Sequence, residues 1–288
     1  MLPQFSAWVS MNSVDLSITK IIDESYNHSL LSSDFSGFDQ SVVDQQAWYF
    51  DYMKSVYQDK YREDIAILEN YFKAIPILCT KSVAYGGEHG VPSGSTFTNQ
   101  ADSIVNYVAQ ISSPELVSER TVQVQGDDAV LAVNNVDNHL EHLSALGFDA
   151  NKTKQLVSNE TVSYLQRTYY RHYRPDGICR GIYPTMRALN SLLGQERFYK
   201  DWSSMMVSLR VIAILENVKW HPAFNEFVKF VVREGDPRLK ENTLELIENK
   251  AKWLRQASEV PGLIPSYNQE GQLQGIESFA SVQRILSL

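Results

Sequence analysis

The chain has 288 residues, 43% of them hydrophobic, enough to build a sizeable core in one large domain or two smaller ones. No run approaches the roughly 20 apolar residues of a membrane helix, Met1 is not followed by a basic-then-apolar leader, and Cys79 and Cys179 lack metal-ligand or disulfide spacing. These features set aside membrane-spanning and disulfide-stapled classes, and predict two buried thiols in a reduced, cytosolic setting. The net charge of −8 speaks at first against nucleic acid, but its distribution is uneven. Residues 1–170 carry 10 Lys/Arg against 21 Asp/Glu, a net of −11, and residues 171–288 carry 16 against 13, a net of +3. The acidic first part suits divalent metals or a solvated acidic surface.

In chain order, apolar spacing predicts helices over Ser13–His28 and Gln40–Ala74. Between them a short apolar run, Ser29–Leu31, leads into Asp34-Phe35-Ser36-Gly37-Phe38-Asp39, which reads as strand, acidic turn and helix. Tyr85–Gly94 is a glycine-rich loop, followed by a helix over about Ser95–Gln110. Arg120–Gln125 and Ala129–Val133 are β-prone runs around Gly126-Asp127-Asp128, which predicts a hairpin. A helix over Asn135–Leu146 stops at Gly147. Thr161–Tyr170 has strand-like content, and helices dominate from Tyr183. The order predicts an α+β domain followed by an α-helical one.

Two adjacent aspartates in a hairpin turn leave like charges together unless a cation neutralises them, and Mg²⁺ and Mn²⁺ prefer such hard oxygen ligands. A strand ending at Asp34 would bring a third carboxylate alongside. Two metals about 4 Å apart, bridged by aspartates, support in-line phosphoryl transfer. Gly-Asp-Asp alone is a common turn, and its meaning depends on context. That context is an ordered series: Asp34-x4-Asp39 at a strand end, Ser93-Gly94-x3-Thr98 where a loop enters a helix, and Gly126-Asp127-Asp128 in a hairpin.

This series resembles motifs A, B and C of viral RNA-dependent RNA polymerases. Asp34–Gln40 and Pro92–Asn99 look closest to the picobirnavirus enzymes, with partitivirus-like enzymes second. The resemblance implies a right-hand polymerase palm, an antiparallel sheet with helices, over residues 1–170 with a remnant of fingers, then a mainly α-helical thumb over 171–288. It implies two Mg²⁺ (or Mn²⁺) ions on Asp34, Asp127 and Asp128, aided by the Phe35 carbonyl. Asp39 would sense the ribose 2′-hydroxyl, the group that distinguishes RNA from DNA. Ser93 and Gly94 would form a mobile loop near the nascent base pair, and Thr98 would support Asp39. Many relatives carry asparagine where this chain has Asp102. Asn106 lies one helical turn further on and Asn99 is next to Thr98, so the residue completing the ribose contact is left open among these.

Gly147–Lys154 resembles motif D, whose lysine protonates the leaving pyrophosphate; Lys152 aligns best, with Lys154 as alternative. Tyr164–Tyr170 resembles motif E. Arg167, Arg171, Arg174, Arg180 and Arg187, interleaved with tyrosines, predict an RNA-backbone surface. Trp48, Tyr49, Tyr52, Tyr57, Tyr61 and Tyr71 are expected to pack, as are Trp202, Trp220 and Trp253 in the thumb. His89 is expected as an exposed loop residue. The basic fingers motif has no counterpart before Asp34, which predicts a partial sequence. Implied partners are template and nascent RNA, nucleoside triphosphates and a capsid protein, with no membrane, in a virion interior or host cytoplasm. A reverse transcriptase fits less well, because Gln125-Gly126 precede the aspartates and Asp39 favours a ribose. The competing class is an inactive polymerase fragment acting as an RNA- or capsid-binding module.

Overall fold

The structure is a computed structural model that describes residues 3–150, 152–194, 202–249, 251, 255 and 276–288. It divides into two compact units. The first comprises Met1–Phe5, Leu16–Leu165 and Tyr170–His172; the second comprises Ser6–Asp15, Gln166–Tyr169 and Tyr173–Leu288.

The first unit is built on a four-stranded antiparallel sheet in the order β4-β5-β1-β6, from β1 (Ser29–Ser33), β4 (Val122–Gln125), β5 (Asp128–Val133) and β6 (Leu156–Ser158). β5 is central, and its run Ala129–Val133 is apolar at every position and buried throughout. Burial of Val130, Leu131 and Val133 contributes about 1.5–3 kcal/mol each, and that of the two alanines less, so this strand is a firm reference for its neighbours. β1 runs antiparallel to it, with Ser29 opposite Val133 and Ser33 opposite Ala129. Helix α5 (Thr98–Ile111) packs on β4 and on α3 (Gln46–Val56), and α3 packs on α4 (Arg62–Ala74). Helix α6 (Val136–Ala145) starts at Asn135, whose side-chain oxygen accepts the Asn138 amide at 3.1 Å. It ends before Gly147 at φ +94°, a left-handed conformation that suits glycine.

The expected helix over Gln40–Ala74 is in fact three helices, α2 (Phe38–Ser41), α3 and α4. Extended backbone at Tyr57 and Gln58 interrupts an otherwise helical apolar spacing. An unforeseen hairpin, β2 (Ile77–Thr80) with β3 (Val83–Tyr85), precedes the glycine-rich loop. Its strands are exposed, including Cys79, so the expectation of two buried thiols holds for Cys179 alone. Tyr49 is buried as expected, but Tyr52, Tyr57, Tyr61 and Tyr71 are exposed. The run Thr161–Tyr170 is two strands, β7 (Thr161–Tyr164) and β8 (Arg167–Tyr170), separated by Leu165 and Gln166 at φ 50° and 62°.

The second unit is mainly helical, with α7 (Thr185–Leu193), α8 (Ser204–Asn217), α9 (Phe224–Glu234), α10 (Leu239–Glu248) and α11 (Ala280–Ser287). Apolar faces of α8 to α11 share one core, including Leu209, Leu215, Val228, Leu246 and Ile285. Buried Glu216 accepts the backbone N–H and the hydroxyl of Ser281 at 3.0 and 2.9 Å. Trp202 packs against this core as expected. Trp220 is half-buried with Arg180 4.4 Å over its ring. Trp253 lies outside the described residues. Among the described residues, no helix is long and apolar enough to cross a membrane.

Candidate active site

The sheet register brings three aspartates to one end. Gln125 pairs with Asp128, so Gly126 and Asp127 form the two-residue turn of the β4–β5 hairpin. Gly126 has φ +59°, a conformation that β-carbon-bearing residues rarely adopt. Ser33 pairs with Ala129, so the next residue, Asp34, leaves β1 beside Asp128. Antiparallel pairing thus converts a separation of some 90 residues along the chain into adjacency.

Both polypeptide segments are fastened through their backbones. The Gln155 side chain accepts the Asp34 N–H at 3.1 Å and donates to its carbonyl at 2.6 Å. The rings of Phe35, Phe38 and Phe148 cluster with centroids 4.8–5.6 Å apart, Phe38 stacked on Phe148 and Phe35 tilted against both. On the hairpin, Ser103 Oγ accepts the Gly126 N–H at 2.8 Å, and Asn106 Nδ2 donates to the carbonyls of Gly126 and Asp127 at 2.9 and 3.0 Å. The backbone of the turn is therefore held by α5 through groups other than its carboxylates.

The carboxylates crowd one another. Burial, then the charges of Asp127 and Asp34, push Asp128 up to about 6. Burial and the charges of Asp39 and Asp34 also hold Asp127 above the usual carboxylate range. Asp127 is the more exposed of the two, so water screens its share more strongly. Three oxygen donors with unneutralised charge fit a hard divalent cation. Among the described residues, no three carboxylate, imidazole or thiol side chains already converge in ligating geometry. The trio is a neighbourhood of carboxylates rather than a formed ligand set.

A second cluster adjoins it. Ser93 Oγ donates to Asp39 Oδ2, and the Asp39 carbonyl accepts the Val91 N–H at 2.7 Å. Gly90 makes this approach possible, because a Cβ there would sit 2.1 Å from the Asp39 carbonyl oxygen. The Thr98 hydroxyl is directed to its own loop, at Pro92 O (2.7 Å) and Ser95 O (3.1 Å), so Ser93 rather than Thr98 makes the contact expected with Asp39. Gly94 is exposed with open space around it. Asp39, Ser93, Gly94 and Asp127 all line one cleft of about 830 Å³.

Residues 3–191 match the family of viral RNA-dependent RNA polymerases. The chain belongs to that family. A potential RNA-dependent RNA polymerase of human picobirnavirus (strain Human/Thailand/Hy005102/-) is 33% identical over 316 aligned positions, which cover 98% of this chain and 56% of that protein. The crystal structure of the RNA-dependent RNA polymerase of a human picobirnavirus matches with a TM-score of 0.83 at 32% identity, covering 99% of this chain and 56% of that one. An insertion-loop deletion mutant of such an enzyme gives the same TM-score and identity, with 55% of its chain covered. The chain thus spans just over half the length of these relatives. The α+β palm followed by a mainly helical thumb is the right-hand polymerase architecture.

Three polar residues were open for the position that polymerase relatives fill with asparagine, and the structure distinguishes them. Asn106 is fully buried on the hairpin carbonyls, and Asn99 Oδ1 accepts from Gln125 at 2.8 Å. Asp102, 4% exposed, faces Asp39. Burial, then the charge of Asp39 and a hydrogen bond to it, push Asp102 up to about 8. A protonated Asp102 donates to Asp39 as an asparagine amide would, which removes the expected repulsion.

Lys152 is exposed and pairs with Asp137 on α6, and Lys154 is exposed too. The arginine surface needs correction. Arg167 is 6% exposed and donates to Gly181 O and Asn217 Oδ1. Arg171 is 7% exposed, with bonds of 2.8–2.9 Å to the carbonyls of Asn159 and Ile22. Their guanidinium forks satisfy buried backbone oxygens and do not form an open RNA-facing stripe. Arg180 is buried as well; Arg174 is half-buried and Arg187 exposed. His89 is half-buried, its ring between the carbonyls of Ile75 (2.9 Å) and Gly90 (2.6 Å), and so braces the loop. Sequence reasoning missed Ser103, Gln155 and the clamping role of Asn106, since single amides and hydroxyls that bond to distant backbone leave no periodic signal.

Proposed function

We propose that this chain carries the catalytic core of an RNA-dependent RNA polymerase, which transfers a nucleotidyl group from a nucleoside triphosphate to an RNA 3′-hydroxyl in viral genome replication and transcription. The observation that carries this reading is the register that sets Asp34 beside Asp127-Asp128, three carboxylates for which no ion pair is found among the described residues. In this reading residues 1–170 act as palm with some fingers material and 171–288 as thumb.

Asp34 and Asp127 would hold two Mg²⁺ (or Mn²⁺) ions, with Asp128 assisting. Such ions lower the pKa of the attacking hydroxyl and neutralise charge on the leaving pyrophosphate. The chain's own groups do the positioning. Gln155 and the phenylalanine cluster fix Asp34, and α5 fixes the turn. Asp39, braced by Ser93 and Asp102, accepts a hydrogen bond from the ribose 2′-hydroxyl. Gly94 lets the loop backbone approach the nascent base pair. Lys152, freed from its exposed pair with Asp137, would supply a proton to pyrophosphate. Arg174 remains a candidate RNA contact, whereas Arg167 and Arg171 act as ties. RNA and nucleoside triphosphates are the partners this chemistry requires, and a capsid protein is consistent with a virion-interior or host-cytoplasmic setting.

The test has two parts. Mn²⁺ titrated into the chain should bind, and Asp127→Ala should weaken that binding sharply. Mg²⁺-dependent RNA synthesis by the intact viral protein should fall by about three orders of magnitude or more in the same variant, the scale of lost transition-state charge stabilisation. Undiminished synthesis would sink the assignment.

A further inference from the structure

The Asn106 clamp on the hairpin is the end of a longer chain of hydrogen bonds. Asn106 Oδ1 accepts from Gln110 Nε2 at 3.0 Å, one helical turn along α5. Gln110 Oε1 faces His139 Nε2 on α6 at 2.8 Å, and His139 Nδ1 faces Ser113 Oγ at 2.9 Å. Asn106, Gln110 and His139 are all 0% exposed, and Ser113 is 4% exposed.

The proton order in this chain is determined from its far end. The carbonyls of Gly126 and Asp127 can only accept, so Asn106 must present its amide nitrogen to them and its oxygen to Gln110. Gln110 must then present nitrogen to Asn106 and oxygen to His139. His139 must carry a proton on Nε2, and as a neutral imidazole it accepts at Nδ1 from the Ser113 hydroxyl. Every link donates toward the turn. An imidazolium would instead donate to Ser113 Oγ, and burial selects the neutral form. Burial, and secondarily His142, push His139 down to about 4, which keeps it neutral at physiological pH.

We propose that Gln110 and His139 are positioning residues of the polymerase site: through Asn106 they hold the backbone of the Gly126-Asp127-Asp128 turn so that its carboxylates face the metals. Neither residue belongs to the motif series, and neither touches a carboxylate of the turn. The assignment rests on the metal-binding reading above and extends it to α6. A buried polar chain is stable only when every member is paired, and here each link fixes the amide orientation of the next. Partners one step behind a metal ligand typically alter metal affinity by about 10- to 100-fold when removed.

Two measurements on the 288-residue chain test this. In the first, ring-nitrogen NMR of labelled histidine should show His139 as the neutral, Nε2-protonated tautomer. Asn106→Leu, a change at a residue that reaches His139 through Gln110, should shift that ring signal. An unmoved His139 signal overturns a continuous chain. In the second, Mn²⁺ is titrated with no nucleotide or RNA present. Gln110→Met, close in size but unable to donate, should weaken Mn²⁺ binding about 10-fold. Should that variant fail to fold, Ser113→Ala, which removes the terminal donor along with the acceptor of the Glu115 N–H, should weaken binding in the same direction. Binding unchanged in the folded relay variant but lost in Asp127→Ala overturns the positioning role and leaves the metal reading standing. Binding unchanged in both overturns the metal reading and this assignment with it.

Discussion

The molecule holds two concentrations of charge, built by opposite rules. In the second unit Arg180 lies between Asp15 and Asp176, with bonds of 3.1 Å to Asp15 Oδ2, 2.5 Å to Asp176 Oδ2 and 2.7 Å to Asn12 Oδ1. Burial lifts the Asp15 carboxyl above its usual range even against Arg167 and Arg180, while Arg180 pulls that of the outer Asp176 below it. In the first unit Asp34, Asp39, Asp102, Asp127 and Asp128 face one another instead, and three of them are pushed upward by burial and by each other. The difference separates a structural ion cluster, satisfied within the chain, from one that, on the proposed reading, leaves its charge for a bound cation to neutralise.

Removing charge should therefore have opposite signs in the two places. The largest loss is expected from Arg180→Met, which removes the guanidinium bonded to Asp15 Oδ2, a carboxyl only 1% exposed. Urea unfolding should show a loss of about 3–5 kcal/mol, the usual result of breaking a buried pair. A loss below about 1 kcal/mol would break the comparison.

Asp102→Asn should stabilise the chain in the presence of a metal chelator. The folded Asp102 titrates at about 8, above its ordinary 3.8, so the folded state holds its proton more tightly than the unfolded one. The associated cost is absent at pH 3.8 and below, and grows as pH rises toward 8. The asparagine variant escapes it. Its advantage in unfolding free energy should be small at pH 4 and grow to about 5 kcal/mol at pH 8. An advantage that shrinks as pH rises would contradict the arrangement around Asp39.

Asp128→Asn should act in the same direction but more weakly, by about 1 kcal/mol at pH 7 in chelator, because its carboxyl is partly open to water and titrates at about 6. Added Mn²⁺ should reverse the order of stability, since the parent gains more from the ion. Least of all, Lys152→Ala should change stability by under about 1 kcal/mol, because its pair with Asp137 is exposed on both sides. Lys152 thus belongs to neither charge cluster as it stands.

The sequence made legible those features that local chemistry dictates. The apolar run of β5, the glycine at Gly126 and the strand ahead of Asp34 each carry their own signal, and the register follows from burying them. It did not reveal where the helical stretch over Gln40–Ala74 breaks, because apolar spacing continues across Tyr57 and Gln58. It pointed the wrong way at Arg167 and Arg171, since a charged residue's pattern does not tell whether its guanidinium meets solvent or a buried carbonyl. Cys79 misled for a related reason: composition favours burial of a thiol, and the exposed β2–β3 hairpin is set by tertiary context. The His139–Gln110–Asn106 chain was invisible because it joins two helices through single polar atoms.

The pairing of Ser33 with Ala129 and of Gln125 with Asp128 has a consequence for how such a gene can drift. Side chains alternate along a strand, so one inserted or deleted residue in β1, which is buried on both faces, would exchange the side chains of one face for those of the other and carry Asp34 to the opposite side of the sheet. The apolar letters of β1 and β5 can be exchanged for others of similar size, but their number cannot change. Length, more than identity, is the inherited quantity on which the acidic end of this sheet depends.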